Sequence, residues 1–243
     1  MCNLYSLTKG QSAILALARA MRDTTGNLPL LPGIYPDYPA PIVRHDAEGE
    51  RELAYARWGM PSSKKALLDA ATKRVQKLKD KGQELSKEEF AELLKVEPDK
   101  GTTNVRRLES RHWQPWLGVE SRCLVPFTAF SEPSYETGKF APAWFALAED
   151  TPLAFFAGVT TRDWTCVRSK SKGVETCDLF GFLTTDPNAE VAAIHPKAMP
   201  VILTEPDEIE AWMTAPWEIA KELQRPLPDG ALVRVPAPSK DVS

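Results

Sequence analysis

The sequence predicts an α+β domain: a mostly antiparallel β core, closed or nearly closed, with helices on its outside. Three observations carry that expectation. From Arg122 onward the chain runs in short aromatic and β-branched segments broken by turn residues, which is the pattern of strands. Ser62 to Lys100 is instead rich in Lys, Glu, Ala and Leu at helical spacing. The 21 prolines outnumber the 13 glycines without forming a Pro-rich tract, which favours a loop-rich fold with strands over a helical bundle. With 243 residues, 43% hydrophobic and 26% charged, the chain has globular composition and fits one large domain.

In chain order, Ser12 to Arg22 reads as a helix with Ile14, Leu17, Ala18 and Met21 on one stripe. Asn27 to Pro41 is dense in proline and reads as irregular. Ile42-Val43 and Leu53 to Trp58 read as short strands. Leu67, Ala70, Ala71, Val75 and Leu78 mark a helix stopped near Gly82. Ser86 with Glu89 forms a capping box for a second helix, flanked by Leu85 and Phe90, that ends before Pro98. This hairpin, 62–100, reads as an insertion in a single domain of residues 1–235, because strands resume on both sides and neither helix has a core of its own. Strands are expected at Arg122 to Phe130, Ala143 to Ala148, Leu153 to Thr160, Asp178 to Thr185 and Met199 to Thr204. A helical turn is expected at Ala189 to Ile194, and a helix capped by Thr204 and Asp207 carries Ile209, Trp212 and Met213. Ala231 to Val235 reads as a last strand and 236–243 as a frayed tail.

A net charge of −3 excludes a chain-wide basic field for nucleic acid. The charge is uneven, however. Lys64 to Lys81 holds seven basic residues against two acids, and Glu205 to Glu222 holds six acids against Lys221. The basic run is either a phosphate-attracting face or one of two solvated helix faces. No apolar run approaches the roughly 20 residues that span a bilayer, and the start lacks the basic and apolar regions of a signal peptide. A cytoplasmic chain without a membrane partner is expected. The cysteines at 2, 123, 166 and 177 form no C-x-x-C, and His45, His112 and His195 lie near none of them at zinc spacing. Neither a metal nor any other cofactor is expected, nor a disulfide framework. Cys123 and Cys177 read as strand residues packed in the core.

Cys2 differs from the other three. Removal of Met1 would leave it with a free α-amine and a thiol on adjacent carbons. Such a 1,2-aminothiol condenses with an aldehyde to an imine, and the thiol then closes on the imine carbon to give a thiazolidine. The alternatives are thiolate attack on an acyl carbon, as in N-terminal nucleophile hydrolases, or an inert cysteine. Glu132 follows the apolar stretch Leu124 to Phe130 and is either a general acid of raised pKa or a turn residue before Pro133. His195 is either a proton carrier or a satisfied core histidine. Asn104 in Thr-Thr-Asn-Val-Arg-Arg is a candidate whose plain alternative is a loop residue.

Together these pieces are more specific. The Met-Cys start, Ala56-Arg-Trp-Gly-Met60, Asn104-Val-Arg106, Arg122-Cys-Leu-Val-Pro126 leading to Glu132, Phe156-Ala-Gly158, Phe182-Leu-Thr-Thr-Asp-Pro-Asn188, and His195 leading to Met199-Pro-Val-Ile-Leu203 follow one order. In that order the chain resembles the SOS response-associated peptidase (SRAP) family over about residues 2 to 215. The resemblance implies autocatalytic removal of Met1, binding of single-stranded DNA, and capture of an abasic site by Cys2 as a thiazolidine that shields the lesion. It implies that Glu132 promotes ring opening and reversal, that His195 assists proton transfer, and that Asn104 positions the Cys2 end. It implies Arg106 as a phosphate contact and Trp58 as a stacking face, with Pro36 and Lys197 also on the DNA path. The implied partner is single-stranded DNA containing abasic sites, bound by a monomer. Leu4, Ser131, Pro133 and the spacing His195-Pro-Lys-Ala-Met-Pro200 depart from the family pattern and remove contacts expected along the strand. Lys64, Lys65, Lys73, Arg74 and Lys77 are candidate replacements. A hydrolase of peptides or amides, and a non-covalent DNA-binding module, are the competing readings.

Overall fold

In a computed structural model, which describes residues 2–136 and 138–239, the chain forms fourteen strands and six α-helices among those residues. The first part holds β1 (Leu4–Leu7), α1 (Gln11–Ala18), β2 (Arg22–Asp23), β3 (Leu31–Ile34), β4 (Pro39–His45), β5 (Arg51–Trp58), α2 (Lys64–Lys79) and α3 (Lys87–Lys95). Next come β6 (Asn104–Val105), β7 (Arg122–Phe127), β8 (Ala129–Ser134), β9 (Ala141–Ala146), β10 (Ala154–Ser169) and β11 (Gly173–Thr185). The last part holds α4 (Ala189–Ala192), β12 (Met199–Pro200), β13 (Ile202–Leu203), α5 (Pro206–Thr214), α6 (Trp217–Ala220) and β14 (Val233–Val235).

Strands β11, β10, β7, β4 and β5 pair in that order, antiparallel throughout. β5 then returns to β11 in parallel, through Leu179 opposite Arg57 and Phe180 opposite Trp58, so the five strands close a barrel. A second, antiparallel sheet runs β14-β9-β8-β1-β3. One core fills the barrel and the inner face of this sheet. Phe127 and Phe156 stack with ring centres 3.9 Å apart, and Tyr5 meets Trp58, Phe156 and Phe182 edge-on. Cys123 lies in this core: a Cβ on Gly158 would sit 2.8 Å from its sulfur, so glycine is needed opposite it. The α+β class and the closed antiparallel core are therefore those expected.

Several element boundaries differ from expectation. α1 stops at Ala18, where Arg19 turns into the left-handed region at φ 52°, and Met21 is exposed instead of extending the stripe. The proline-dense stretch holds β3 and the start of β4. β3 is an edge strand, where Pro32 is tolerated, and Pro39 and Pro41 precede Val43 and Arg44, at which β7 pairing begins. The run Arg122 to Phe130 breaks at Thr128, where the chain passes from barrel to second sheet and the Thr128 hydroxyl donates to the Ser6 carbonyl at 3.2 Å. β10 and β11 extend well past Thr160 and Asp178 as a long hairpin, because its polar residues carry no apolar signal. The α5 cap is Glu205 with Glu208, whose carboxylate accepts from the Thr204 and Glu205 amides, and not Thr204 with Asp207.

The helical hairpin of α2 and α3 is formed as its caps dictate. Ser63 Oγ accepts from the Ala66 amide, and both halves of the Ser86/Glu89 box are made. Its ends are pinned by Asp99, which accepts from the Ser62 and Gly101 amides. Of the tail, Pro236, Pro238 and Ser239 line a pocket with Ser6, Thr8 and Thr128, and residues 240–243 lie outside the described residues.

Candidate functional site

Strand alternation places Glu132. Leu4 faces Ser131 and Tyr5 faces Phe130 across β1 and β8, so Phe130 and Glu132 turn inward together. Ala143 stands opposite Glu132 on β9, a small neighbour. The Glu132 side chain is fully buried, and burial raises its carboxyl from an ordinary 4.5 to about 7.

Cys2 is also fully buried, just before β1, with its thiol 3.5 Å from the Leu4 carbonyl. Burial pushes this thiol far above its ordinary range, and the Glu132 charge adds to the rise. The two groups are thus within electrostatic reach, and the sulfur starts as a neutral thiol. Asn104 sits in β6 opposite Phe182 of β11. Its Nδ2 donates to the Cys2 carbonyl at 2.8 Å and to Thr103 Oγ1 at 2.8 Å. Its Oδ1 is buried with no hydrogen-bond partner among the described residues. His195 lies just beyond α4. Its Nδ1 is 3.3 Å from the Ala198 carbonyl and 3.7 Å from Glu132 Oε2. Both are acceptors once the carboxyl ionises, so the tautomer with the proton on Nδ1 fits both and leaves Nε2 as the accepting nitrogen. Burial lowers the His195 pKa, which keeps the ring mostly neutral at pH 7.

Cys2, Asn104, Glu132 and His195 therefore meet in one place. The set offers a protonated thiol, a carboxyl half ionised near neutrality, a neutral imidazole and an amide that holds the backbone of the thiol's residue. Such a set moves protons around a sulfur. Among the described residues, no group of three His, Cys, Asp or Glu side chains converges to hold a metal ion.

The residues expected on a DNA strand are placed differently. Trp58 is fully buried between Phe180, Phe182 and Tyr5, with Nε1 donating to the Thr103 carbonyl at 3.1 Å. It has no outer face for an unpaired base, so the stacking role read from Trp-Gly is corrected: β5 pairs with β11 and covers it. Arg106 is used by its own chain. It donates to the Thr185 and Lys197 carbonyls and pairs with exposed Asp186, thereby tying down the loop that carries His195. Lys197 is exposed and Pro36 half-buried. On α2, Lys64, Lys65, Lys73 and Lys77 are exposed, whereas Arg74 is committed to Glu97 by two bonds of 2.8 Å.

Exposed aromatic rings along Asn3 and Leu4, the residues that follow Cys2, carry no mark in the sequence. A groove of about 340 Å³ is lined by Asn3, Leu4, Tyr35, Ser131, Pro133 and Phe140. Tyr35 pairs with Tyr38 and Phe140 with Tyr135, and all four rings are exposed. An exposed tyrosine in a turn carries no sequence mark of what lies next to it, so only the fold identifies these.

A family model described as SOS response associated peptidase (SRAP) matches residues 1–242. Among solved structures, a protein from Bordetella bronchiseptica is similar in fold at 24% identity and a TM-score of 0.65, over 96% of this chain and 98% of that one. A protein from Bacteroides thetaiotaomicron is similar at 21% identity and a TM-score of 0.63, over 96% and 90%. A phage-related protein from Bordetella bronchiseptica is similar at 17% identity and a TM-score of 0.60, over 96% and 92%. A search of curated proteins gives no match.

Proposed function

The chain belongs to the SOS response associated peptidase (SRAP) family, and from that premise we propose that it captures abasic sites in single-stranded DNA through Cys2. The family name ties the chain to the SOS response and to peptidase-like chemistry. The observation that carries the finer reading is the Glu132 carboxyl, fully buried, poised at about 7 and set beside both His195 and the Cys2 thiol.

Hydrolysis of the Met1–Cys2 peptide bond frees the Cys2 amine. Met1 itself lies outside the described residues. Protonated Glu132 gives a proton to the ring oxygen of the abasic sugar as the C1–O bond breaks, and the C1 hydroxyl gives its own proton to His195 Nε2 or water, so that the ring opens to the aldehyde. The amine adds to the aldehyde carbon, and loss of water leaves an imine. The Cys2 sulfur adds to the imine carbon, and its proton passes to the ring nitrogen, with Glu132 or His195 Nε2 as carrier. The bond of Asn104 to the Cys2 carbonyl holds amine and thiol at one place, which replaces an entropic cost of the cyclisation. Its unpaired Oδ1 is an acceptor for a donor on the amine or the sugar.

Intact mass tests the reading. A processed chain incubated with an abasic oligonucleotide is expected to gain the mass of the strand less one water. Binding without a mass gain would favour the non-covalent module, and turnover of a peptide would favour the hydrolase.

In this reading the groove along Asn3 and Leu4 takes over the stacking that buried Trp58 does not provide. Tyr35→Ala with Phe140→Ala is expected to weaken binding of an intact single strand by about tenfold or more, since stacking is worth roughly 1–3 kcal/mol per base. Anisotropy of a labelled oligonucleotide measures this, and unchanged affinity would place the strand elsewhere. Asp186 occupies the guanidinium that a phosphate would take. Asp186→Asn is therefore expected to tighten binding by about two- to fivefold at low salt, the range for an exposed ion pair, with the gain fading as salt rises. A loss of affinity in the same titration would instead make Asp186 a necessary brace for Arg106.

A further inference from the structure

Arg168, near the far end of β10, carries a guanidinium that is only 1% exposed. Its Nε donates to Asp37 Oδ1 at 2.9 Å and its Nη1 to the Gly59 carbonyl at 3.1 Å. Nη2 is buried with no hydrogen-bond partner among the described residues. A buried cation with an unmet donor is a costly way to stabilise a fold. Both of its bonds lead toward the site.

The first bond reaches the Tyr35–Tyr38 turn. Asp37 adopts left-handed backbone there at φ 70°, and its amide donates to the Trp58 carbonyl at 2.8 Å. Tyr35 from this turn lines the groove along Asn3 and Leu4. The second bond reaches a notch between two glycines. A Cβ on Gly101 would lie 2.7 Å from Arg168 Nη1 and 2.8 Å from Gly59 Cα, and one on Gly59 would lie 2.5 Å from Nη2. Gly59 and Gly101 also have φ of 141° and 75°, so side chains are excluded there on both counts. One residue further, Met60 and Thr102 exchange backbone bonds of 3.0 and 2.7 Å. Two residues after Thr102, Asn104 holds Cys2.

We propose that Arg168 is a positioning residue that sets both halves of the site at once: through Asp37 the aromatic lip of the groove, and through the Gly59–Gly101 notch the segment that carries Asn104 to Cys2. This inference rests on the abasic-capture reading for its kinetic test and not for its structural one. The kinetic test is adduct formation against oligonucleotide concentration, well below the unfolding temperature. Asp37→Gly removes the carboxylate and fits the left-handed backbone. It is expected to raise the half-saturating concentration about fivefold while the rate at saturation stays the same. Arg168→Lys keeps the charge but cannot make both bonds. It is expected to raise the half-saturating concentration likewise and also to slow the saturated rate by about tenfold to a hundredfold. Hydrogen exchange without DNA gives the second measurement. The Asp37 and Tyr38 amides should exchange faster in both variants, and the Met60 and Thr102 amides only in Arg168→Lys. Wild-type kinetics and exchange in Arg168→Lys would overturn the inference and leave Arg168 a plain core cation. If Arg168→Lys does not fold, Asp37→Gly decides alone, and an unchanged half-saturation overturns the claim. If the wild-type chain forms no adduct, the functional reading fails while the exchange pattern still tests the strut.

Discussion

Cys2→Ala is expected to abolish covalent capture while reversible binding to single-stranded DNA persists. The sulfur is fully buried, so its loss leaves only a small void, and the fold should tolerate it at a cost of about 1 kcal/mol. No other cysteine can stand in. Cys123 is buried against Gly158, and its thiol is pushed far up by burial. Cys166 and Cys177 lie on the long β10–β11 hairpin, and burial pushes the Cys166 thiol up to about 11. Only Cys2 can bring an amine and a thiol to one carbon. Cys2→Ser should therefore still form an imine but close no thiazolidine, so its adduct should survive denaturation only after borohydride reduction. The measurement is intact mass with and without the reductant. A normal adduct yield from Cys2→Ala would remove Cys2 from the chemistry.

What could be read from the sequence was what local chemistry encodes. The Ser86/Glu89 box and the break at Gly82 are written in neighbouring residues, and the helical hairpin of α2 and α3 follows from them. The sequence marks Glu132 as an acid that follows an apolar stretch, a local anomaly, and the family resemblance links it to Cys2, Asn104 and His195; that it lies inside a separate strand, β8, is a property of the sheet. Trp58 reads as a stacking face in the sequence because exposure is not local: the rings that cover it, Phe180 and Phe182, arrive from β11 only when the barrel closes. Arg168 was invisible for the same reason, since its two acceptors lie 131 and 109 residues away in sequence. Arg106 shows a third case. Its residue type was right for phosphate, but the chain supplies two carbonyls and Asp186 that use the same guanidinium first. The prolines of β3 and β4 misled because their cost depends on which side of the strand is paired, and that is a property of the sheet.

Glu132→Gln keeps the size of the side chain and removes its transferable proton. Capture is expected to slow by about 10²–10⁴-fold, the usual worth of general acid–base help, and release from a preformed adduct should slow too, because the reverse path uses the same proton. The pH dependence distinguishes this from a packing defect. Below about 7 the wild-type carboxyl is mostly protonated, and above that its acid form falls tenfold per pH unit. Ionisation of the Cys2 amine affects both proteins alike, so the ratio of wild-type to variant rates should be flat below about 7 and decline above it. Stability should move in a linked way. The carboxyl titrates near 4.5 when unfolded and near 7 when folded, so the native state holds the extra proton between those values. Wild-type stability from this group is full below about 4.5 and is lost as pH rises to about 7. Glu132→Gln has no such loss, so it should become the more stable protein across that window, by on the order of 3 kcal/mol at pH 8. Urea unfolding at pH 4.5 and pH 8 measures the gap. Equal pH dependence in the two proteins would mean that the carboxyl is not held neutral by burial. Equal capture and release rates would make Glu132 a structural residue of β8, whatever Cys2 does.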